Sequence, residues 1–484
     1  MISPDDRSTW QAQAAVCAAV FGLLVVWLVI FPYTGEPDSV LHYLNARDAS
    51  VNPADCLHVW ARPGYKLLLV WFAVHGITTA RVFMAAMTTV LAWQTIRLAD
   101  DLKISRACLA GALLLWQPMA FALAADTMTE MPMALGLVLA IRLWLAGRLT
   151  ASCLVLGYLP AVRPEGFFFG VMWGLMVVLG PTCGPWWKRM LLLISLAAGL
   201  VAWVLACWYW TGDPWHVYHV WNWPLSSYEV YGRGSLLHYI IGWPVYGGLP
   251  LTLLLLAGIR PSLRKEMWLP CAAWGLVLGV HSILYWRGWF ASDGMLRILA
   301  CTSPLTALIC LHGWNRLDAD LRNRHWQLPR RRRAGFAFAA VATAWMLGQY
   351  CCMPDHVYAF PLLRCTAFIR EHQLIGSDTW FFAGNKIAIA NLDLPPHDPH
   401  LMDTPAKPLI IRDNLAALPI GAIGVWDNRQ APIWLGQTID SLTANGFTIL
   451  YDTTTHFPWR DIRCVVLRKD RPFSAATPLP VIVR

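Results

Sequence analysis

The chain runs to 484 residues, 57% of them hydrophobic and 14% charged, with a mean hydropathy of +0.45. Soluble globular chains carry roughly 25% charged residues and about half apolar ones, so this composition excludes an ordinary cytosolic enzyme, a disordered tail and a collagen-like fibre. The 38 Lys and Arg against 29 Asp and Glu leave a net charge of +9, and those charges sit between long apolar runs, which points to membrane orientation and not to nucleic acid.

A helix needs about 20 apolar residues to cross ~30 Å of hydrocarbon. Runs of that kind predict about eleven spans: 12–32, 80–98, 107–124, 129–146, 149–162, 166–181, 189–210, 239–259, 267–285, 298–314 and 334–350. The 149–162 run is short and holds Pro160. Pro63–Gly76 is apolar but too short to cross, and predicts a helix lying at the interface within a first outer loop of 33–79. No small-residue cleavage site follows the first span, which reads as an uncleaved anchor.

Eleven crossings from a cytoplasmic N-terminus place 18 basic residues in the inner loops, including Arg97, Arg142, Lys188 and the run Arg330–Arg333, and eight in the outer ones. That bias satisfies the positive-inside rule. Acidic residues collect outside, and the apolar cores hold almost none of the ionisable groups that a proton-driven transporter keeps at mid-bilayer. The reading is a multi-pass plasma (inner) membrane protein with its chemistry at the outer surface. Residues 1–350 form the membrane domain. Residues 351–484 hold 12 basic and 12 acidic residues, and short strand-like runs (Trp380–Phe382, Leu409–Ile411, Ala422–Trp426, Phe447–Tyr451, Arg463–Leu467) alternate there with helical patterns at Pro361–His372 and Leu435–Ala444. That alternation predicts a small extracytoplasmic α/β domain. The 13 cysteines show no disulfide framework and no zinc-ligand spacing; a Cys365–Cys464 bridge is open but unsupported by spacing.

The candidate chemistry lies in the outer loops. Glu36-Pro37-Asp38 follows the first span: it reads either as a general base or cation-gathering pair at the bilayer surface, or as a solvated turn. In Asp126-Thr127-Met128-Thr129-Glu130-Met131-Pro132, Thr129 suits a helix cap, Glu130 the positive helix end and Pro132 a first turn, while Asp126 needs another explanation. Arg163-Pro164-Glu165-Gly166 offers a guanidinium for a phosphate or a self-satisfied Arg–Glu pair. Histidines and tyrosines of 213–238, among them His216, His219, Tyr228 and Tyr231, read first as structural interfacial residues. Arg287 and Arg297 follow, Arg297 opening an apolar helix where it can hold an anionic headgroup or simply snorkel. Acidic groups at 36, 38, 126 and 130 with arginines at 163, 287 and 297 on one face suit a lipid-tethered substrate with a phosphate leaving group.

The ordered set Gly35-Glu36-Pro37-Asp38, Arg62-Pro63-Gly64-Tyr65, Thr129-Glu130-Met131-Pro132 and Arg163-Pro164-Glu165-Gly166 resembles the GT-C superfamily of polytopic glycosyltransferases, which includes protein O-mannosyltransferases, lipid A aminoarabinose transferases and lipid-linked mannosyltransferases. The resemblance covers about residues 10–315. It implies inverting transfer of a sugar, of hexosyl or mannosyl type, from a polyprenyl-phosphate donor to a hydroxyl of a glycan, lipid or protein acceptor in the cell envelope. It also implies Asp38 or Glu36 as the catalytic base, with Glu130 or Asp126 as the assisting acid. Arg163, Arg297, Arg62 and Arg287 become the phosphate-binding candidates, and a divalent cation stays open as cofactor. Pro37 between the two acids departs from the adjacent pair of many relatives and leaves the choice of base open, with Asp38 preferred. A flippase for lipid-linked sugars and a non-catalytic assembly scaffold are the competing readings.

Overall fold

The structure, a computed structural model, describes residues 4–472 apart from 33–35, 58, 220–231, 291, 396–397, 403–414 and 458–459. Tyr228, Tyr231 and the strand expected at Leu409–Ile411 lie outside the described residues. The chain divides into two compact units: Met1–Ile30 with Ala49–Cys351, and Phe31–Asp48 with Cys352–Arg484.

The first unit is helical. Its elements in order begin with α1 (Pro4–Ile30), while α2 (Pro37–Ala49) belongs almost wholly to the second unit. Next come α3 (Pro63–Ala73), α4 (Ile77–Asp101), α5 (Leu109–Leu115), α6 (Pro118–Leu123), α7 (Glu130–Leu145), α8 (Leu149–Tyr158), α9 (Glu165–Leu179) and α10 (Trp186–Thr211). The helices Leu249–Ser262, Trp268–Arg287, Ser303–Asn323 and Leu328–Cys352 complete the bundle. Among the described residues, six helices are long and apolar enough to cross a membrane: Trp10–Ile30, Ile77–Asp101, Trp186–Thr211, Lys265–Arg287, Leu296–Asn323 and Leu328–Cys352. Leu149–Ala161, Glu165–Leu179 and Leu249–Ser262 are shorter apolar helices. The exposed side chains of α10 include Leu191, Ile194, Val201, Leu205 and Trp208, a surface suited to hydrocarbon and not to water.

Several expected spans are interrupted for visible reasons. The 107–124 run divides into α5 and α6 at Gln117–Pro118, because Pro118 has no N–H to continue the ladder. A side chain re-satisfies the broken turn: Gln117 Nε2 donates to Leu113 O at 3.2 Å, and the same amide is held by its donation to Ser303 O at 2.9 Å and by Tyr246 Oη, which donates to Gln117 Oε1 at 3.2 Å. Leu249–Ser262 packs on Ser303–Asn323 through small residues. A Cβ on Gly258 would lie 1.9 Å from Ile309 O, and one on Gly313 would lie 1.9 Å from Leu254 O. Glycine therefore sets how closely these backbones approach.

The second unit is built on a five-stranded sheet of order β2-β1-β3-β5-β4, with β1 (Phe381–Ala383), β2 (Leu401–Met402), β3 (Ile423–Asp427), β4 (Phe447–Phe457) and β5 (Arg460–Lys469). β1 runs parallel to β2 and β3, whereas β5 is antiparallel to both β3 and β4. Phe382, Trp426, Leu435, Leu442, Phe447, Val465 and Leu467 fill its core. β4 runs on from its expected end at Tyr451 to Phe457, β5 outruns its expected segment at both ends, and a polar cross-strand pair accompanies the extension: Arg463 Nη2 lies 2.6 Å from Asp452 Oδ2. At the far end of β5, buried Lys469 donates from Nζ to Leu415 O at 3.1 Å, Ala416 O at 2.9 Å and Leu418 O at 2.5 Å. All three donors of the ammonium are thereby used.

Candidate active site

In the first unit, three separated segments bring charge to one buried place. The first is the start of α7. Thr129 occupies the N-cap position but makes no capping bond, contrary to the expectation from its position. Its Oγ1 instead accepts from Arg163 Nη1 at 2.8 Å. Glu130, in the first helical turn, has no exposed surface.

The second segment is the junction between the 3₁₀ turn Leu159–Ala161 and α9. Arg163 is pinned there by its own backbone, its N–H donating to Leu159 O at 2.9 Å. The close packing behind it requires glycine at 166, because a Cβ would meet Pro160 N at 2.3 Å and Leu159 C at 2.4 Å. Arg163 engages Glu165 through two parallel bonds, Nε to Oε2 at 3.1 Å and Nη2 to Oε1 at 2.9 Å. This is the fork geometry that guanidinium and carboxylate favour. Nη1 also lies 2.8 Å from Glu130 Oε1. On the far side of Glu165, His281 Nε2 lies 3.5 Å from Oε1.

The third segment is the 3₁₀ turn Leu296–Thr302, where Arg297 Nε lies 3.9 Å from Glu130 Oε1. Glu130 thus faces two guanidinium groups. Neither of its oxygens receives an aligned hydrogen bond among the described residues, so charge and not directed bonding holds it, and its lone pairs suit a hydroxyl donor.

Asp126 forms a separate buried pair, its Oδ1 3.6 Å from Arg81 Nε of α4, while Arg81 also donates to Ala125 O at 3.3 Å. This supplies the explanation that Asp126 lacked in sequence. Tyr65 on α3 is electrostatically coupled to both acids: burial first, then the charges of Glu130 and Asp126, push its hydroxyl well above its usual range. Arg62 opens α3 in the left-handed region at φ 58° and lies 5.8 Å from the Trp60 ring centroid. The start of α3 docks onto the turn before Arg163. A Cβ on Gly64 would sit 3.0 Å from Ala161 Cβ, and Tyr158 Oη donates to Gly64 O. One turn after Arg62, Lys66 is also buried, and that burial, seconded by the Arg62 charge, drives its ammonium well below the usual lysine range, against an opposing pull from Cys56.

Of the residues singled out from sequence, Glu130, Arg163 and Arg297 form one cluster. Asp126 pairs beside it with Arg81, and Arg62 opens the helix docked against it. Arg287 is exposed and lies on two tryptophan rings, 5.5 Å from the centroid of Trp286 and 5.1 Å from that of Trp289. Glu36 and Asp38 belong to the second unit, where both are half-buried at the start of α2 and Asp38 N donates to Glu36 Oε1 at 3.4 Å. Lys66, Arg81 and His281 were not singled out; the Arg62…Lys66 spacing, one helical turn, is the signal that could have found Lys66. Among the described residues no group of three or more His, Cys, Asp and Glu side chains converges to hold a metal ion. Glu130 and Glu165 are both engaged by the Arg163 guanidinium.

No family model matches the sequence, and no curated protein matches it. Solved structures do. ArnT from Cupriavidus metallidurans bound to undecaprenyl phosphate aligns over 94% of this chain and 97% of its own, at 14% identity and a TM-score of 0.64. ArnT from the same organism in the apo state aligns over 95% and 98%, at 14% identity and a TM-score of 0.62. The chain therefore has the fold of these ArnT structures, a polytopic helical architecture with a small C-terminal sheet domain.

Proposed function

We propose that this protein is a membrane glycosyltransferase that moves a sugar from a polyprenyl-phosphate donor to an acceptor hydroxyl at the extracytoplasmic face of the plasma (inner) membrane. The observation that carries the reading is the likeness, over nearly the whole chain, to a structure that holds undecaprenyl phosphate. The buried cluster of Glu130, Arg163 and Arg297 supports it, because a soluble-style surface ion pair has no reason to be sealed among apolar helices.

In this reading the acceptor oxygen attacks the anomeric carbon as the carbon–phosphate oxygen bond breaks, with inversion. The electron pair leaves with the phosphate, and the acceptor proton passes to a carboxylate. Asp38 is assigned as that base, with Glu36 as its alternative. Glu130 assists by accepting from a substrate hydroxyl, and Asp126 stays with Arg81. Arg163 spends its fork on Glu165, so its role is to hold the carboxylates in place. Arg297 and Arg62 are the cations assigned to the departing phosphate, whose growing charge they offset in a water-poor site. Arg287 is left to the membrane interface.

The test is incubation of purified protein with a panel of polyprenyl-phosphate sugars, scoring free polyprenyl phosphate. Release is expected with at least one donor, and Asp38→Asn is expected to lower it by about 10²–10⁴-fold at unchanged abundance, the range of general-base catalysis. Full activity in that variant removes Asp38 as base; movement of the lipid-linked sugar across vesicles without release of free carrier overturns the transferase reading.

A further inference from the structure

The sheet unit holds a pair of cysteines that sugar transfer does not use. Cys365 lies on the helix Pro354–Glu371 and Cys464 on β5, both without exposed surface. Both are thiols in the structure, the helix packs directly on β5, and the Cys365 side chain, followed by burial, pushes the Cys464 thiol above its usual range. Neighbouring contacts fix the same register independently. Arg364, one residue earlier on the helix, donates from Nη1 to Thr453 Oγ1 at 3.5 Å, and Thr453 is the β4 residue directly opposite Cys464. One turn later, Phe368 stacks on Tyr451 of β4 with ring centroids 4.7 Å apart. The helix is thus held against the sheet on both sides of Cys365. Two cysteines 99 positions apart in sequence meet across the packed face of helix and sheet.

We propose that Cys365 and Cys464 form a disulfide that clamps this helix to β5, the strand beside the β4 edge of the sheet. The proposal rests on the reading that this unit faces the extracytoplasmic compartment, where disulfides persist. Because both sulfurs are sealed in the folded unit, oxidation belongs to folding. One thiolate attacks the disulfide of an extracytoplasmic dithiol–disulfide oxidant, giving a mixed disulfide, and the second thiolate displaces it. The Sγ–Sγ bond forms here, and the oxidant leaves as a dithiol carrying the two electrons and the two protons. A clamp closing a loop of about 100 residues also restricts the unfolded chain strongly.

The experiment traps free thiols of the full-length protein with N-ethylmaleimide under denaturing, non-reducing conditions and maps the peptides by mass spectrometry. A linked peptide joining Cys365 to Cys464 is expected, with exposed Cys352 alkylated. Alkylation of both Cys365 and Cys464 overturns the proposal. In parallel, a membrane-impermeant maleimide on intact cells reports the side of Cys352: labelling supports the compartment reading, and labelling only after permeabilisation overturns that reading without deciding the peptide result. As a second measure, reductant should raise the protease sensitivity of this unit about tenfold in the natural chain and leave Cys365→Ala/Cys464→Ala unchanged; an equal response in both overturns the clamp.

Discussion

Arg163 is the residue on which the buried charge of the first unit depends. It faces two carboxylates, and all three side chains are almost wholly removed from solvent. Removing one partner of a buried ion pair leaves an uncompensated charge and costs about 3–5 kcal/mol. Arg163→Ala should therefore lower the thermal stability of the detergent-solubilised protein by several degrees, and adding Glu165→Gln should restore part of the loss, because one stranded carboxylate disappears. A scanning-fluorimetry curve unchanged by Arg163→Ala would show that the pairing contributes nothing. Sequence pointed to Arg163 and Glu165 as neighbours. It could not show that Thr129 and Glu130, more than 30 positions earlier, close the other side of the same guanidinium. Thr129 looked like a helix cap because capping is a local pattern, and tertiary contact with Arg163 took its hydroxyl instead.

At the scale of elements, the decisive feature is the turn that joins α8 to α9. Its two helices are individually short, and the 3₁₀ turn at Leu159–Ala161 with Pro160 explains why one long span does not form. Gly166 lets the first turn of α9 lie directly on that backbone. Gly166→Ala should push α9 away from Pro160 and with it displace Arg163, since backbone atoms at 2.3–2.4 Å cannot yield as a flexible side chain would. Overpacking of this kind costs about 1–3 kcal/mol. The expected outcome is a lower melting temperature together with less free carrier released in the proposed donor-panel assay; a variant as stable and as active as the natural chain would show that the turn has slack. The break at Gln117–Pro118 was hidden for a related reason. A window of hydropathy averages over one proline, whereas the helix cannot.

For the whole molecule, the unexpected partition is that Phe31–Asp48, which directly follows the first span, belongs to the same compact unit as the C-terminal sheet. α2 buries Val40, Tyr43 and Leu44, and Arg47 Nη1 pairs with Asp393 Oδ1 at 2.8 Å. Truncation after residue 352 should therefore leave the apolar side of α2 without its cover. Limited proteolysis of membranes is expected to cut within α2 in the truncated protein and to spare that helix in the full chain. Equal resistance in both would mean that α2 keeps its order without the sheet unit.

Composition and hydropathy were sufficient to establish that this is a polytopic helical membrane protein with a mixed α/β segment at its end, because transfer of apolar helices out of water depends on properties summed along the chain. The charged turns at 126–130, 163–165 and 297 were legible for the same reason: ionisable groups stand out against an apolar background. Which of them meet is a different kind of fact. The union of Glu130, Arg163 and Arg297, the diversion of Asp126 to Arg81, the burial of Lys66, the stacking of Arg287 on tryptophan and the meeting of Cys365 with Cys464 all follow from how helices and strands pack. Only packing brings residues tens to hundreds of positions apart within a few ångströms.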